Sequence, residues 1–490
     1  MRIQFIYPNF ESEKGDFQLG IASLSAVLKE DGHKINLIHL KKRDKKNYIE
    51  KVLIELKKFD PDLVGFSITE FGAKYVEELS KIIKQESNVK IIVGGPYATL
   101  APEEIINLSA IDYVARGEAE ETLKNLVRSM ESNKEINEIK GIWVKENHKI
   151  FRNELDSPPD IDSLPFPDRS IFDEETIVGH EFSGNNETGT LNKIGIMCSR
   201  GCPFNCTYCI NEHVRNLYPV KDRYVRFRKV DRVIEEIKEL QKIYKFNSIG
   251  FYDDTMLLNK KWITEFAEKY KKEIGLPFYA NARPETCQEE LISKIADAGC
   301  RRLQIGIESG SEDIRSKVLN RHNTNNQIIE AFQLAKKFNL KTYSFNMVGL
   351  PYETEDDIKK TITLNALIKP DVIQVSVFYP FWGTKLGELC YENNWVVSEK
   401  KNKIDTYYEK SIIDYPKLNT AKIDHYYIYF YFYYSIYTKD APKLLKYLII
   451  NILYKTHLFG ITQSIYKKCA KVNRTFSHEV KLGYNRRDNK

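Results

Sequence analysis

Methionine and tryptophan are scarce in this chain, at 5 and 4 of 490 residues. No apolar run reaches the roughly 18 uncharged residues that a membrane span requires, so no spanning helix is expected. No G-x-G-x-x-G follows the first apolar run, which argues against a nicotinamide or flavin site of the common kind. No Walker loop and no Ser/His/Asp constellation stands out either. An excess of one charge is also missing: 74 basic residues face 68 acidic ones, for a net +6. Such a balance gives no reason to expect a nucleic-acid partner. The 42% hydrophobic and 29% charged content excludes disorder, collagen and low-complexity scaffolds. What the chain does have is length for roughly three domains, with 30 Tyr and 25 Phe.

Eight cysteines are too few to staple a chain of this size. Four fall close together (Cys198, Cys202, Cys206, Cys209), and four are scattered (Cys287, Cys300, Cys390, Cys469). The scattered ones read as core or surface residues. Residues Met1 to Pro8 have a strand pattern in place of a secretory apolar region. Clustered cysteines in that setting read as metal ligation in a reducing compartment, and a cytoplasmic location is expected.

Apolar runs of strand length recur at 2–7, 34–40, 62–68, 89–94 and 111–115. Helical periodicity fills the intervals at 17–31, 46–58, 71–86, 100–107 and 118–131. This alternation predicts an α/β fold, a doubly wound parallel sheet with helices on both faces. Such sheets bind ligands beyond the carboxyl ends of their strands. The candidates there are Pro8, Ser67, Thr69, Gly94, Gly95, Pro96, Gly117 and Glu118. Gly94-Gly95 would let backbone approach a bulky ligand, and it could equally be a tight turn. The segments Leu19-Gly20-Ile21, Val93-Gly94-Gly95-Pro96 and Ala115-Arg116-Gly117-Glu118 resemble the cobalamin-binding, Rossmann-like domains that precede many radical enzymes. The resemblance covers about 1–130 and implies cobalamin bound by the eight residues just named. Asp31-Gly32-His33 mimics the cobalt-ligating D-x-H-x-x-G loop but continues to Asn36 and precedes the second strand. His33 is read as a helix-terminal residue, where a cation suits the dipole, and no lower cobalt ligand is evident.

Residues 139–152 read as a hairpin with Asn147-His148 at its turn, and the proline-rich run at 156–168 reads as an extended connector. The acidic stretch to about 190 reads as a surface loop or lid. The expected domains are therefore 1–135, a hairpin and linker at 136–189, a third unit at 190–390 and a helical, aromatic-rich region at 391–490.

Residues 194–210 carry an apolar strand into a loop with C-x3-C-x2-C: Cys202, Cys206 and Cys209. Thiolates are soft ligands suited to iron–sulfur clusters. Three of them hold three irons of a cubane and leave the fourth open. Structural zinc draws two ligand pairs from separated segments, a spacing this loop lacks. Cys198 as a fourth ligand would close the cluster. It is read instead as a small buried structural residue. Phe204 and Tyr208 would line the loop and screen it from water.

This loop resembles that of the radical S-adenosylmethionine (SAM) superfamily, over about 190–390. Strand-like runs at 194–197, 248–252, 278–281, 303–307, 342–348 and 372–378 suit a partial (β/α)6 TIM-like barrel. Helical periodicity separates them at 230–244, 259–273, 287–298, 311–319, 325–338 and 355–367. Strand ends carry the site in such barrels. The resemblance implies a [4Fe-4S] cluster on Cys202, Cys206 and Cys209, with Tyr208 beside it. It places Asp253 and Asp254 near the methionine amino group, and Arg283 as a carboxylate fork. Glu308 and Ser309 would reach ribose and carboxylate, and Val348 and Gly349 the adenine edge. Each has a plainer alternative: Asp253-Asp254 as a helix cap, Glu308 paired with Arg301 or Arg302.

Tyrosine-rich helical patterns follow at 420–437 and 441–458. Three readings stand: packing on the barrel, a wall around a large apolar small-molecule substrate, or peripheral contact with a membrane surface. The last ~20 residues are polar and basic and read as frayed. The whole arrangement resembles cobalamin-dependent radical SAM enzymes. That implies a 5′-deoxyadenosyl radical, hydrogen abstraction from substrate, methyl transfer from methylcobalamin to carbon, and a reducing electron donor protein. Cyclisation or rearrangement of the anaerobic magnesium-protoporphyrin monomethyl ester cyclase type is the alternative within enzymes. A cobalamin and iron–sulfur sensor is the alternative outside them.

Overall fold

The computed structural model describes residues 1–182, 190–401, 403–438 and 442. Alternating apolar runs and amphipathic stretches become β1 (Arg2–Asn9), β2 (Lys34–Lys41), β3 (Leu63–Ser67), β4 (Lys90–Gly94) and β5 (Tyr113–Ala115), with helices between them. These five strands run parallel in the order β2-β1-β3-β4-β5. Ile6, Val64, Phe66, Val93 and Val114 are buried in one apolar core, as expected of strands covered by helices. The helix expected at 100–107 is two shorter ones, Pro96–Leu100 and Pro102–Ile106. Pro102 has no N–H to continue the first. The hairpin forms as β6 (Ile142–Glu146) and β7 (Lys149–Arg152), turning through Asn147 (φ 47°) and His148 (φ 65°). It pairs antiparallel with β5 and extends the sheet to seven strands.

The chain continues through β8 (Val178–Phe182), β9 (Thr190–Ile196), a short antiparallel pair β10 (Ser199–Arg200) and β11 (Arg226–Phe227), and β12 (Ser248–Phe251). It ends its strands with β13 (Phe278–Ala282), β14 (Cys300–Glu308), β15 (Lys341–Val348) and β16 (Val372–Val377). Two compact units result, one comprising Met1–Gly179, Met197–Leu240 and Phe381–Glu388, the other the remaining residues.

The second unit is a curled, mainly parallel sheet in the order β16-β15-β14-β13-β12-β9-β8. The strands of this sheet stand side by side in their order along the chain, with only the β10–β11 pair set apart from it, as a partial βα barrel requires. Alternate residues Ile194, Ile196, Ile249, Phe251, Leu303 and Ile305 are buried. They face the crossover helices, including Lys260–Glu273, Glu289–Ala298, Asn325–Lys337 and Glu355–Ile368. The helix expected at 311–319 is a π-turn, Ile314–Val318. There the fully buried Arg315 donates to the carbonyls of Ser309 (2.6 Å) and Asn323 (3.2 Å).

The tyrosine-rich helix forms as Thr420–Tyr437 and packs on this sheet. Tyr431 donates to the Ile373 carbonyl at 2.7 Å, and Tyr426 to Glu355 at 2.9 Å. Among the described residues no helix is long and apolar enough to cross a membrane. The pattern at 441–458, Cys469 and the basic tail lie outside the described residues.

Candidate functional site

The cysteine loop starts where β10 ends. Gly201 has φ +82°, and a Cβ there would stand 2.4 Å from the Tyr224 carbonyl oxygen, so only glycine fits. Cys202 and Cys206 are buried and Cys209 half-buried. The Cys209 amide donates to the Cys206 carbonyl at 3.1 Å. Cys209 then caps the helix Ile210–Leu217, whose N-terminal field favours a thiolate. From within that helix Arg215 reaches back, donating to the Pro203 carbonyl at 2.7 Å and to Asn205. One guanidinium thus braces the loop between the first two thiols. Thr207 is held from the other side, its carbonyl accepting from Leu386 N at 3.0 Å. Cys198 is fully buried before β10, and its carbonyl accepts from Arg228 N at 2.8 Å.

The donor chemistry fits a cluster: three closely spaced thiols on irregular backbone. No group of three or more His, Cys, Asp or Glu side chains converges as a single metal ion requires, among the described residues. A cubane spreads its ligands over separate irons and needs no such convergence.

The loop is anchored to the end of the first sheet. Arg200 Nη1 donates to Glu118 Oε2 at 2.5 Å, its Nη2 to Glu120 at 2.8 Å, and Arg226 also donates to Glu118. Tyr218 OH accepts from Glu118 N at 2.8 Å. Glu118, a cobalamin candidate by sequence, therefore spends its carboxylate on two arginines. Gly117 (φ +70°) lies under Tyr218, whose oxygen would be 2.7 Å from an added Cβ. Gly95 (φ +96°) is equally tight against the Ile68 backbone, at 2.7 Å. The close approaches these glycines permit are to the chain itself. Pro8, Ser67, Thr69, Gly94 and Pro96 stand with them at the carboxyl ends of β1, β3 and β4. A rim of backbone amides and small hydroxyls suits the amide-rich edge of a corrin.

His33 ends the helix Leu19–Glu30, near Asp31 and Glu131 (both 3.6 Å). His39, which sequence reasoning passed over, stacks on Tyr7 at 5.2 Å with both ring nitrogens buried and without a hydrogen-bond partner. Burial pushes its pKa down to about 4, so it is neutral.

In the second unit the remaining candidates gather at strand ends. Asp253 is fully buried and its carbonyl accepts from Asn281 at 3.0 Å, while Asp254 is exposed. Arg283 gives its fork to its own neighbour, donating to Glu285 through Nε (2.8 Å) and Nη2 (2.5 Å). Glu308 has φ +69°, a backbone state unfavourable for a side-chain-bearing residue. Arg321 Nη1 lies 3.6 Å from its carboxylate, which folds over Gly306, where a Cβ would come within 2.6 Å. An arginine beside its carboxylate is Arg321, from the segment that follows the π-turn. Ser309 is buried against Thr361, turned inward from solvent. Val348 is buried, and Gly349 (φ +82°) packs under Ile423.

Glu353 stands at the same strand end, and its sequence position gave it no particular role. It is fully buried, and its Oε2 accepts from Gly349 N (2.7 Å) and Leu350 N (3.1 Å). Desolvation pushes its pKa up to about 8. The signal in sequence was a carboxylate four residues after a strand-ending glycine.

Comparison with known proteins agrees with this architecture. The radical SAM superfamily model matches residues 196–364, and the B12-binding domain model matches 17–127. An uncharacterised methyltransferase of Pyrococcus horikoshii is 32% identical over 79% of this chain and 81% of its own. The anaerobic magnesium-protoporphyrin IX monomethyl ester cyclase of Cereibacter sphaeroides is 26% identical over 79% of this chain and 63% of its own. The solved radical SAM methyltransferase TsrM of Kitasatospora setae, with tryptophan and a SAM analogue bound, shares the fold at TM-score 0.64 and 16% identity. It is covered over 77% of its length and covers 81% of this chain. The cobalamin-dependent radical enzyme OxsB superposes at TM-score 0.62 and 17% identity, covering 82% of this chain and 56% of its own. The chain belongs to the cobalamin-binding radical SAM enzymes. Its cofactors are a [4Fe-4S] cluster, SAM and cobalamin.

Proposed function

We propose that this enzyme is a C-methyltransferase that moves a methyl group from cobalamin to an unactivated carbon of a small molecule. When bound, the cluster would supply the one-electron chemistry that activates SAM, and cobalamin would supply the methyl group. Cys202, Cys206 and Cys209 hold the cluster, and Arg215 fixes their loop. Glu308 is placed to accept from ribose hydroxyls, since a carboxylate takes two at once. The Val348–Gly349 backbone edges the adenine, with Glu353 holding that turn. Asp253 and Asp254 serve the methionine end.

The observation that carries this reading is the ion-paired link from the cysteine loop, through Arg200, to Glu118 at the end of the cobalamin-type sheet. A sensor has no need to fix its cluster loop to its cobalamin domain in this way. The methyltransferase name of the Pyrococcus relative supports the same reading. Radical cyclisation is the second reading, favoured by the similarity to the cyclase of Cereibacter.

Anaerobic reconstitution with iron, sulfide and methylcobalamin, followed by reduction with SAM, tests all three. Formation of 5′-deoxyadenosine separates enzyme from sensor. Transfer of labelled methyl from SAM to a product separates methylation from cyclisation. The reaction requires an electron donor protein in the cell.

A further inference from the structure

The inner face of the second sheet is built over two glycines. Gly195 and Gly250 stand opposite each other in register on β9 and β12. They alternate with the buried Ile194, Ile196, Ile249 and Phe251, so their positions look away from the crossover helices. Tyr252 folds back over both of them. A Cβ on Gly195 would come within 2.3 Å of its ring, and one on Gly250 within 3.3 Å. The ring lies down across two strands because neither position carries a side chain. Lys193 borders it, with Nζ 5.5 Å from the ring centroid. With that neighbour in place Tyr252 is still 48% exposed. A ring fixed from below, with half its surface open, is a stacking platform.

The same row carries a pair of amides. Gly250 is in register with Tyr279, and Asn281 with Gln304, so Tyr252, Asn281 and Gln304 stand level on three neighbouring strands. Asn281 is held from both sides. Its Nδ2 donates to the Asp253 carbonyl at 3.0 Å, and its Oδ1 accepts from Gln304 Nε2 at 2.8 Å. The second bond fixes the Gln304 amide. Its carbonyl oxygen accepts from no described residue and is not sealed in the core. The complement of a positioned acceptor is an O–H or N–H group on a ligand.

This row is set below the strand ends assigned above to SAM. Gln304 comes four residues before Glu308 on β14, about 13 Å deeper along the strand. The Tyr252 ring turns the same way, back from Asp253 and over Gly250. Neighbouring strands are about 4.8 Å apart, so ring and acceptor are separated by roughly two such spacings. That is the span of a conjugated body of two or three fused rings.

We propose that this row binds the substrate, and that the substrate has a flat conjugated body with a hydroxyl or N–H group at its far edge. The flat body stacks on Tyr252, and the donor group meets the Gln304 oxygen. This deepens the methyltransferase reading and rests on it only for the statement that the ligand is the substrate.

A matched probe pair isolates the donor. 2-Hydroxyfluorene and 2-fluorofluorene are flat, similar in shape and differ in one O–H. Each is titrated by equilibrium dialysis against the reconstituted, SAM-bound holoenzyme, and both are expected to bind. Gln304→Met has a similar volume and no oxygen. It should weaken the hydroxyl probe about fivefold, the loss of one neutral hydrogen bond, and leave the fluoro probe unmoved. Tyr252→Leu should weaken both probes about fivefold, and Tyr252→Phe neither. SAM affinity, measured by the same dialysis, should keep its wild-type value in all three. Near-ultraviolet circular dichroism and iron content identify a variant that has misfolded. Gln304→Leu then takes the place of Gln304→Met, and binding of both probes to the wild type is required in every case. Failure of either probe to bind the wild type overturns the proposal. So does a hydroxyl probe unmoved in the folded Gln304 variant, or a loss of SAM affinity in Tyr252→Leu that matches the loss of the probes. Formation of 5′-deoxyadenosine in the same preparation reports on the enzyme reading independently, so either can fail while the other stands.

Discussion

Arg200 and Glu118, 82 residues apart in sequence, meet in an ion pair of 2.5 Å. Arg200 is two residues from the first cluster cysteine, and Glu118 follows the last parallel strand of the first sheet. Glu118 also compensates Arg226, which pairs with Arg200 across the β10–β11 ladder. Glu118→Ala leaves two arginines without that charge. Their side chains keep 20% and 14% of their surface, so the cost should be about 2 kcal/mol, below the figure for a fully buried pair. Urea unfolding measures it. The reconstituted variant should also hold less iron per chain than the wild type. Full iron content in a destabilised variant would mean that the pair supports the fold without positioning the loop.

The thiols divide sharply. Cys202→Ala, Cys206→Ala and Cys209→Ala should each lose the cluster's visible absorption and all 5′-deoxyadenosine formation. Cys198→Ala should retain both. Its cost is that of a small cavity at a fully buried site, about 1–2 kcal/mol. Loss of the cluster in Cys198→Ala would make it a ligand and contradict an open iron.

Gly201→Ala tests the loop's entry. The new Cβ meets the Tyr224 carbonyl oxygen at 2.4 Å with φ at +82°. Backbone cannot move aside as a flexible side chain can, so β10 and β11 must part. A destabilisation of about 1–3 kcal/mol is expected, accompanied by slower cluster reconstitution. Unchanged reconstitution kinetics would show that the loop does not depend on this turn.

Much of this architecture was legible because helix and strand periods differ. The strands after the cysteine loop fall within a few residues of their apolar runs, as β13 and β15 illustrate. The Asn147-His148 turn was legible because Asn tolerates the left-handed region. That the hairpin joins β5 was not, since strand pairing depends on partners distant in sequence. The π-turn at Ile314–Val318 was read as an ordinary helix because the apolar period alone does not distinguish the two, and the carbonyls that the buried Arg315 holds, of Ser309 and Asn323, lie outside the turn. The same holds at the site. Three thiols announce themselves by spacing, whereas the engagement of Glu118 by two arginines and the burial of Glu353 belong to the folded chain alone.

Glu353 links stability to pH, and the sign follows from its burial. Its pKa rises from 4.5 to about 8 on folding. Between those values the folded state holds a proton that the unfolded state has released. Its contribution is therefore complete below about pH 4.5 and is lost progressively as pH rises to about 8. Glu353→Gln keeps an oxygen for Gly349 and Leu350 and removes the titration. The variant should lose stability less steeply than the wild type from pH 6 to pH 8, by about 2 kcal/mol over that interval at about 1.4 kcal/mol per unit. SAM affinity should follow the same course, because the amides that Glu353 holds, of Gly349 and Leu350, form the turn at the strand end assigned to adenine. Thermal unfolding and SAM titration at pH 6, 7 and 8, on wild type and variant side by side, measure both. Parallel pH profiles would show that Glu353 is already ionised in the folded protein and that some other group neutralises it.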